Sequence, residues 1–395
     1  MLNQHNAIIL DLETTINAPA PHFGATPTWP TNRAVAYGFQ VAGDPHVYLQ
    51  SSVTRLFELF EELPDAVLVG HNLSFDLMYL LKTSDREAFK PRPLWDTMKF
   101  HHIQTGKADP NPSLVRVAQF WGIPFKKDDE IKERFKLGIG ADQIDKQLLY
   151  EYLEADVRVT AEIFYNQHLY AKEQGELWTR YVLELMRGIK ATSEMSTVGI
   201  SFNVLGAASE KAKLEAELQV LESAFKTNWE HCWPQGAGTD FNPNSPTQIE
   251  TLLWGGEVKI PYDQEVLNED GEAVRFKSGA KVGQVKTKKT TKVGIVNPMV
   301  TNLAQELFKR KGWDMKSSAQ TLQNLVKYDK AIAGAFAADI LELRNKAKTI
   351  TTYYKPYINF ANEGTIHPAY NHCVTQTGRL SSSKPNMQNI TSKDK

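Results

Sequence analysis

Between Lys146 and about Lys172 an aspartate sits inside the apolar stripe of a long amphipathic helix. Leu148, Leu149, Tyr152, Leu153, Asp156, Val159, Ile163 and Phe164 fall on or near one side at helical spacing, so that side turns toward a core. Tyr152 and Asp156 are four positions apart and stack on it together. A carboxylate on a core-facing stripe is costly unless a partner neutralises it. Glu151 and Glu154, off the stripe, read as solvated acids.

Two more acidic motifs lie upstream, both tied to strands. AIIL (7–10) reads as a short buried strand, VAYGFQVA (35–42) as a second and AVLVG (66–70) as a third. Asp11-Leu12-Glu13 follows the first. Side chains two apart on a strand share a face, so the two carboxylates point one way and Leu12 the other. His71-Asn-Leu-Ser-Phe-Asp76 follows the third strand and precedes a helix through Leu77, Met78, Leu80 and Leu81. Asp76 thus stands in a first helical turn, where an acid is electrostatically favoured.

Brought together, these carboxylates would repel one another by roughly 4 kcal/mol per close pair at an effective dielectric of 20. The motifs contain no lysine or arginine to offset that. Divalent cations would, and hard oxygen ligands suit Mg²⁺ or Mn²⁺ rather than zinc. Two such ions can activate a water and stabilise the departing oxygen of a phosphodiester. A tyrosine hydroxyl beside the last carboxylate can orient the attacking water.

The order DLETT, HNLSFD, YLEAD resembles the tyrosine branch of the DEDD superfamily of 3′→5′ exonucleases. The resemblance covers roughly residues 1–170 and implies an α/β, ribonuclease H-like fold. It makes Asp11, Glu13, Asp76 and Asp156 ligands of two divalent metal ions and Tyr152 the water-orienting residue. Asn72 and Phe75 fit the second motif and are candidates for holding the DNA 3′ end. Trp95-Asp96-Thr97 resembles the strand after that motif, and Asp96 reads as structural.

At 395 residues the chain is too long for one ordinary core. Hydrophobic content of 42% and charged content of 23% are those of a globular protein, and the net charge of −1 neither suggests nor excludes nucleic acid. No apolar stretch is long enough to span a membrane, and the start lacks the basic flank of a signal peptide. Cys232 and Cys373 lie far apart in sequence, which suits reduced thiols in a cytoplasm. There is no internal repeat.

After Gly175 the texture becomes mostly helical, with a charged helix over 203–226. Asn242-Pro-Asn-Ser-Pro246 caps another helix, TQIETLLW, with Pro246 suited to its first turn. Residues 255–300 break into β-like pieces separated by turn residues, and helices return from about 302 to 360. Arg275 to Lys292 is basic without a single acid. Such a patch, with Lys286, Lys288 and Lys289 as candidate contacts, would grip DNA phosphates in a salt-dependent way.

FNPNSPTQIETLLW (241–254) resembles the segment opening the thumb of family A DNA polymerases, bacteriophage-type members being nearest in texture. LELRNKAKTITTYY (341–354) and GTIHPAYNHCVTQTGRLSSSKPNMQNI (364–390) resemble the stretch before that family's catalytic palm. The expected organisation is an exonuclease domain at 1–175, a mostly helical thumb at 176–360 with its basic hairpin or loop, and the start of a palm at 361–395. The resemblance places Arg379 against primer–template DNA, with Thr377, Gln388 and Asn389 as lesser candidates. Arginine suits that task because its fork reaches minor-groove acceptors or phosphates.

The family's polymerase carboxylates and fingers helix come after this point, and beyond TGRLSSS the sole acid is Asp394. The expectation is therefore a proofreading exonuclease acting on single-stranded 3′ ends and binding primer–template, without a polymerase centre of its own. A separate C-terminal polymerase polypeptide is the partner this implies. Two other readings stay open: a non-catalytic DNA-binding and docking subunit of a split polymerase, and an RNA-trimming exonuclease.

Overall fold

The computed structural model describes residues 6–17, 24–83, 92–106, 108–126, 129–237, 240–278 and 281–390. Asp394, and Gly279 and Ala280 within the basic stretch, lie outside the described residues. The chain divides into two compact units, one formed by Met1–Val204 with Pro356–Lys395 and one by Leu205–Lys355. The segment from 361 onward, expected as a division of its own, thus belongs to the same unit as the acidic motifs.

The first unit is built on β1 (Ala7–Thr14), β2 (Ala34–Val41), β3 (Val47–Gln50), β4 (Val67–Gly70) and β5 (Leu94–Asp96), in the order β3-β2-β1-β4-β5. β2 runs antiparallel to both β1 and β3, while β1–β4 and β4–β5 are parallel. Between them run α1 (Thr54–Glu62) and α2 (Ser74–Thr83), followed by α3 (Thr97–Gln104), α4 (Leu114–Phe120), α5 (Asp129–Lys136), α6 (Lys146–Gln174) and α7 (Glu176–Val198). The apolar run of β1 ends at Leu10, yet the strand continues to Thr14 because its pairing with β2 does not stop: Asp11 lies opposite Gly38 and Glu13 opposite Ala36. The first acidic motif is therefore inside the strand rather than after it.

The core of this unit lies around Ile8, Leu10, Leu68, Trp95, Phe100 and Leu153. The amphipathic α6 packs on β1 and β2. The approach is close at Gly38, where a Cβ would stand 2.7 Å from Leu153 Cγ and 3.0 Å from Val157 Cγ2. Asp145 caps the helix by accepting from the backbone N–H groups of Gln147 and Leu148. Its far end is tied in by Gln167, which accepts from Trp95 Nε1 and donates to the Thr97 carbonyl, each at 2.9 Å.

β6 (Ile200–Ser201) follows α7, and α8 (Val204–Trp229) leads into the second unit. There α9 (Pro246–Trp254) begins at a Ser245 cap with proline in its first turn. The hairpin β7 (Gly256–Glu265) and β8 (Thr287–Val296) comes next, then α10 (Asn302–Lys311), α11 (Ala319–Tyr328) and α12 (Ile332–Lys348). A second core forms here around Phe225, Phe241, Leu253, Phe308, Leu325 and Phe336.

After α13 (Lys355–Phe360) the chain is again part of the first unit, through β9 (Ala361–Asn362), β10 (Thr365–Ile366), β11 (Ala369–Asn371) and β12 (Ser381–Ser383). β10 pairs with both β6 and β9, and β11 pairs with β12. Among the described residues, no helix is long and apolar enough to cross a membrane.

Candidate active site

Asp76 stands in the first turn of α2 and is buried. Burial raises its pKa well above the ordinary carboxylate value, and the charge of Asp11 raises it next most among the side chains around it, followed by Asp96 and Glu13. Its own backbone N–H acts in the opposite direction. The fold thus brings the second acidic motif within electrostatic reach of both acids of the first. Glu13 is buried and Asp11 half-buried.

The third motif lies on α6, whose packing on β1 and β2 is described above. Asp156 is buried there and Tyr152 half-buried, its ring edge-on to Phe135 at 6.2 Å. Among the described residues no group of three or more His, Cys, Asp or Glu side chains is placed so that it could hold a metal ion. The carboxylate oxygens of Asp11, Glu13 and Asp76, partly desolvated and mutually repulsive around Asp76, are donors of the hard kind that suits divalent ions.

Asp96 organises the approach to this region. Its carboxylate accepts from the backbone N–H groups of Asn72 and Leu73, just before α2, at 3.1 and 3.0 Å. It also caps α3 by accepting from Met98 and Lys99 N–H, at 2.9 and 3.2 Å. Asn72 takes a left-handed backbone (φ 61°) in this turn, a conformation asparagine tolerates better than most residues. Its side chain is therefore presented by a pinned backbone. Phe75 packs edge-on against Tyr79 at 5.2 Å. Tyr79 in turn donates to the Ala25 carbonyl at 2.7 Å.

Thr377 and Arg379 are exposed in the connection between β11 and β12, where Thr375 Oγ1 donates to the Arg379 carbonyl at 2.6 Å. Gln388 and Asn389 are exposed farther along, beyond Tyr357, whose hydroxyl donates to the Asn386 carbonyl at 2.9 Å. Lys286, Lys288 and Lys289 belong to the second unit's hairpin. Lys288 and Lys289 are adjacent on β8 and so point to opposite faces of it.

Sequence reasoning did not anticipate the buried Lys99. Burial lowers its pKa to about 8. Its ammonium donates to the Leu185 carbonyl and, at 2.9 Å, to His372 Nδ1. His372 is itself held down to about 4 by burial first and then by the Lys99 charge. Its Nε2 lies 2.7 Å from Thr192 Oγ1. A lone lysine early in one helix and a histidine 273 positions later carry no local sequence signal of pairing.

Residues 262–395 match the family model for DNA polymerase family A. The match relates the chain to that class of enzymes through its last third. The individual proteins it is similar to include DNA polymerase I of Lactococcus lactis subsp. cremoris (strain MG1363), 27% identical over 285 residues, covering 70% of this chain and 25% of that protein. DNA polymerase I of Rhizobium leguminosarum is 25% identical over 361 residues, covering 88% of this chain and 28% of that protein. The chain thus spans about a quarter of the length of these relatives. Among solved structures, the POL domain of Pol1 from M. smegmatis, in complex with DNA primer-template and dNTP, aligns with a TM-score of 0.57. At 15% identity, over 98% of this chain and 53% of that one, it is a likeness of fold.

Proposed function

We propose that this chain is the 3′→5′ proofreading exonuclease portion of a family A DNA polymerase of bacteriophage type, hydrolysing phosphodiesters at DNA 3′ ends. The observation that carries the reading is Asp76, buried and yet facing the charges of Asp11 and Glu13. A strand carrying two same-faced acids, beside a helix starting with a third, is an expensive arrangement for structure alone. The sheet order, with one antiparallel strand between β1 and β3, supports a ribonuclease H-like domain.

Asp11, Glu13, Asp76 and Asp156 would hold the two divalent ions. These would supply charge neutralisation and an activated water when bound. Tyr152, one turn before Asp156, orients that water through its hydroxyl. Asn72 and Phe75 hold the terminal nucleotide from the turn that Asp96 pins. Hydrolysis leaves a nucleoside monophosphate and a strand shorter by one residue.

Replacing Asp11 and Glu13 with Ala should reduce mononucleotide release from single-stranded DNA at least about 10³-fold, on the scale of losing transition-state charge stabilisation. Release that persists in excess EDTA would remove the two-metal account. Matched RNA and DNA substrates separate proofreading from RNA trimming.

A second reading rests on the family match, which covers residues 262–395 and not the carboxylates. In it the chain's main work is to hold primer–template DNA, with Arg379, Thr377, Gln388 and Asn389 at the duplex. Arg379→Ala should then weaken primer–template binding while leaving release from a short single strand intact.

A further inference from the structure

The hairpin of the second unit sorts its charges by face. Its ten paired positions run without a register shift from Gly256↔Val296 to Glu265↔Thr287. The next pair, Val266 with Lys286, follows through a 2.8 Å backbone hydrogen bond. Directly opposed residues of an antiparallel pair share a face, and alternate pairs share the same face.

One face therefore carries Val258, Ile260, Tyr262 and Gln264 from β7, with Lys286, Lys288, Thr290 and Lys292 opposite them. It holds three lysines and no acid. The other face carries Glu257, Lys259, Asp263 and Glu265, with Lys289, Val293 and Ile295 opposite. It holds three acids against two lysines. The acids of the tip, Glu269, Asp270 and Glu272, lie in the turn beyond Val266.

Lys288 and Lys292 are exposed, and so is Tyr262. The Lys286 ammonium lies over the Phe276 ring at 5.4 Å. Along an extended strand, Lys286 and Lys288 are separated by roughly 7 Å and Lys288 and Lys292 by roughly 14 Å. A row of cations at strand spacing, with an aromatic ring beside it, suits a regularly charged polymer.

We propose that the face bearing Lys286, Lys288 and Lys292, with Tyr262 beside them, tracks the phosphate backbone of DNA, and that Lys289 takes no part. The inference rests on the reading that the chain acts on DNA, and it narrows the basic stretch to one side of one hairpin. Each lysine neutralises one phosphate and releases its counterions. The acidic face turns the other way and repels the polymer, so the hairpin engages DNA in one orientation.

The test is equilibrium binding of the full chain to a primer–template duplex and to a single strand, in EDTA, across a salt series. Changing Lys286, Lys288 and Lys292 together to Ala should make the slope of log K against log salt less negative by about 2.7 on duplex and about 2.1 on single strand, at 0.9 and 0.7 per phosphate. The duplex arm and the single-strand arm show which form the face prefers. Changing the same three to Arg should retain the slope. The opposite-face pair, Lys259→Ala with Lys289→Ala, should move it by no more than a small fraction of that amount. Equal shifts from the two faces, or no shift from the triple Ala variant, would overturn the proposal. Because EDTA silences metal-dependent cleavage, the result is the same whether or not the carboxylates hydrolyse DNA, and either reading can fail without the other.

Discussion

Asp76 illustrates how a single side chain records what surrounds it. Burial, Asp11, Asp96 and Glu13 all raise its pKa. Between the ordinary carboxylate range and the raised value, the folded chain binds more protons than the unfolded one. Stability must therefore fall as pH rises through that window. Thermal melts in EDTA should show a declining midpoint above the usual carboxylate range, and Asp76→Asn should flatten the decline. At pH 8 in EDTA the variant should melt higher than the parent by about 2–4 °C, the shift for each 1 kcal/mol in a unit of this size. Mg²⁺ should raise the parent's midpoint at pH 8 more than at pH 5, and the variant's little at either. A variant that melts lower than its parent at pH 8 in EDTA would mean that the carboxylate is held by a favourable partner.

Among the elements, the close packing of α6 on β2 depends on one absent side chain. Gly38 faces Leu153 and Val157 of α6, and its partner across the strand pair is Asp11. Gly38→Ala should push the helix bearing Tyr152 and Asp156 off the sheet, at a cost of about 1–3 kcal/mol by overpacking. A denaturant series would read the stability loss, and, under the proposed function, a fall in exonuclease rate larger than that of Ala substitutions on α6's solvent side would read the displacement. This dependence was not legible in the sequence, where Gly38 is one glycine among the 24 in the chain. The strand pattern of 7–10, 35–42 and 66–70 was legible, because buried strands leave continuous apolar runs. So were the Ser245 cap and the long helix through Asp156. The short β3 and β6 left no such run, and β9 to β12 are held by pairing between distant segments. The acids were visible as types and spacings. That Asp11 and Glu13 act on Asp76 needed the sheet order, which a pattern in one segment does not contain.

At the scale of the molecule, the second unit has a core of its own. The core around Phe225, Phe308 and Phe336 is built wholly from residues of the second unit. A fragment Leu205–Lys355 should therefore fold alone, with a cooperative melt by circular dichroism, as a unit with its own core does. A gradual, noncooperative melt would show that it borrows stability from the rest of the chain. The same fragment carries the whole hairpin, so it should retain a salt-dependent affinity for DNA while lacking every carboxylate of the candidate active site.

The bond from Ser196 Oγ to the Pro368 carbonyl, 2.7 Å long, joins positions 172 apart. On the ribosome, Ser196 emerges well before the segment whose carbonyl it will meet, and everything between them is made in the interval. The hairpin-bearing unit can be complete while the acidic one still lacks its final strands. A nascent chain would thus complete its hairpin before its acidic motifs are fully enclosed, an order of events imposed by how the polypeptide is threaded.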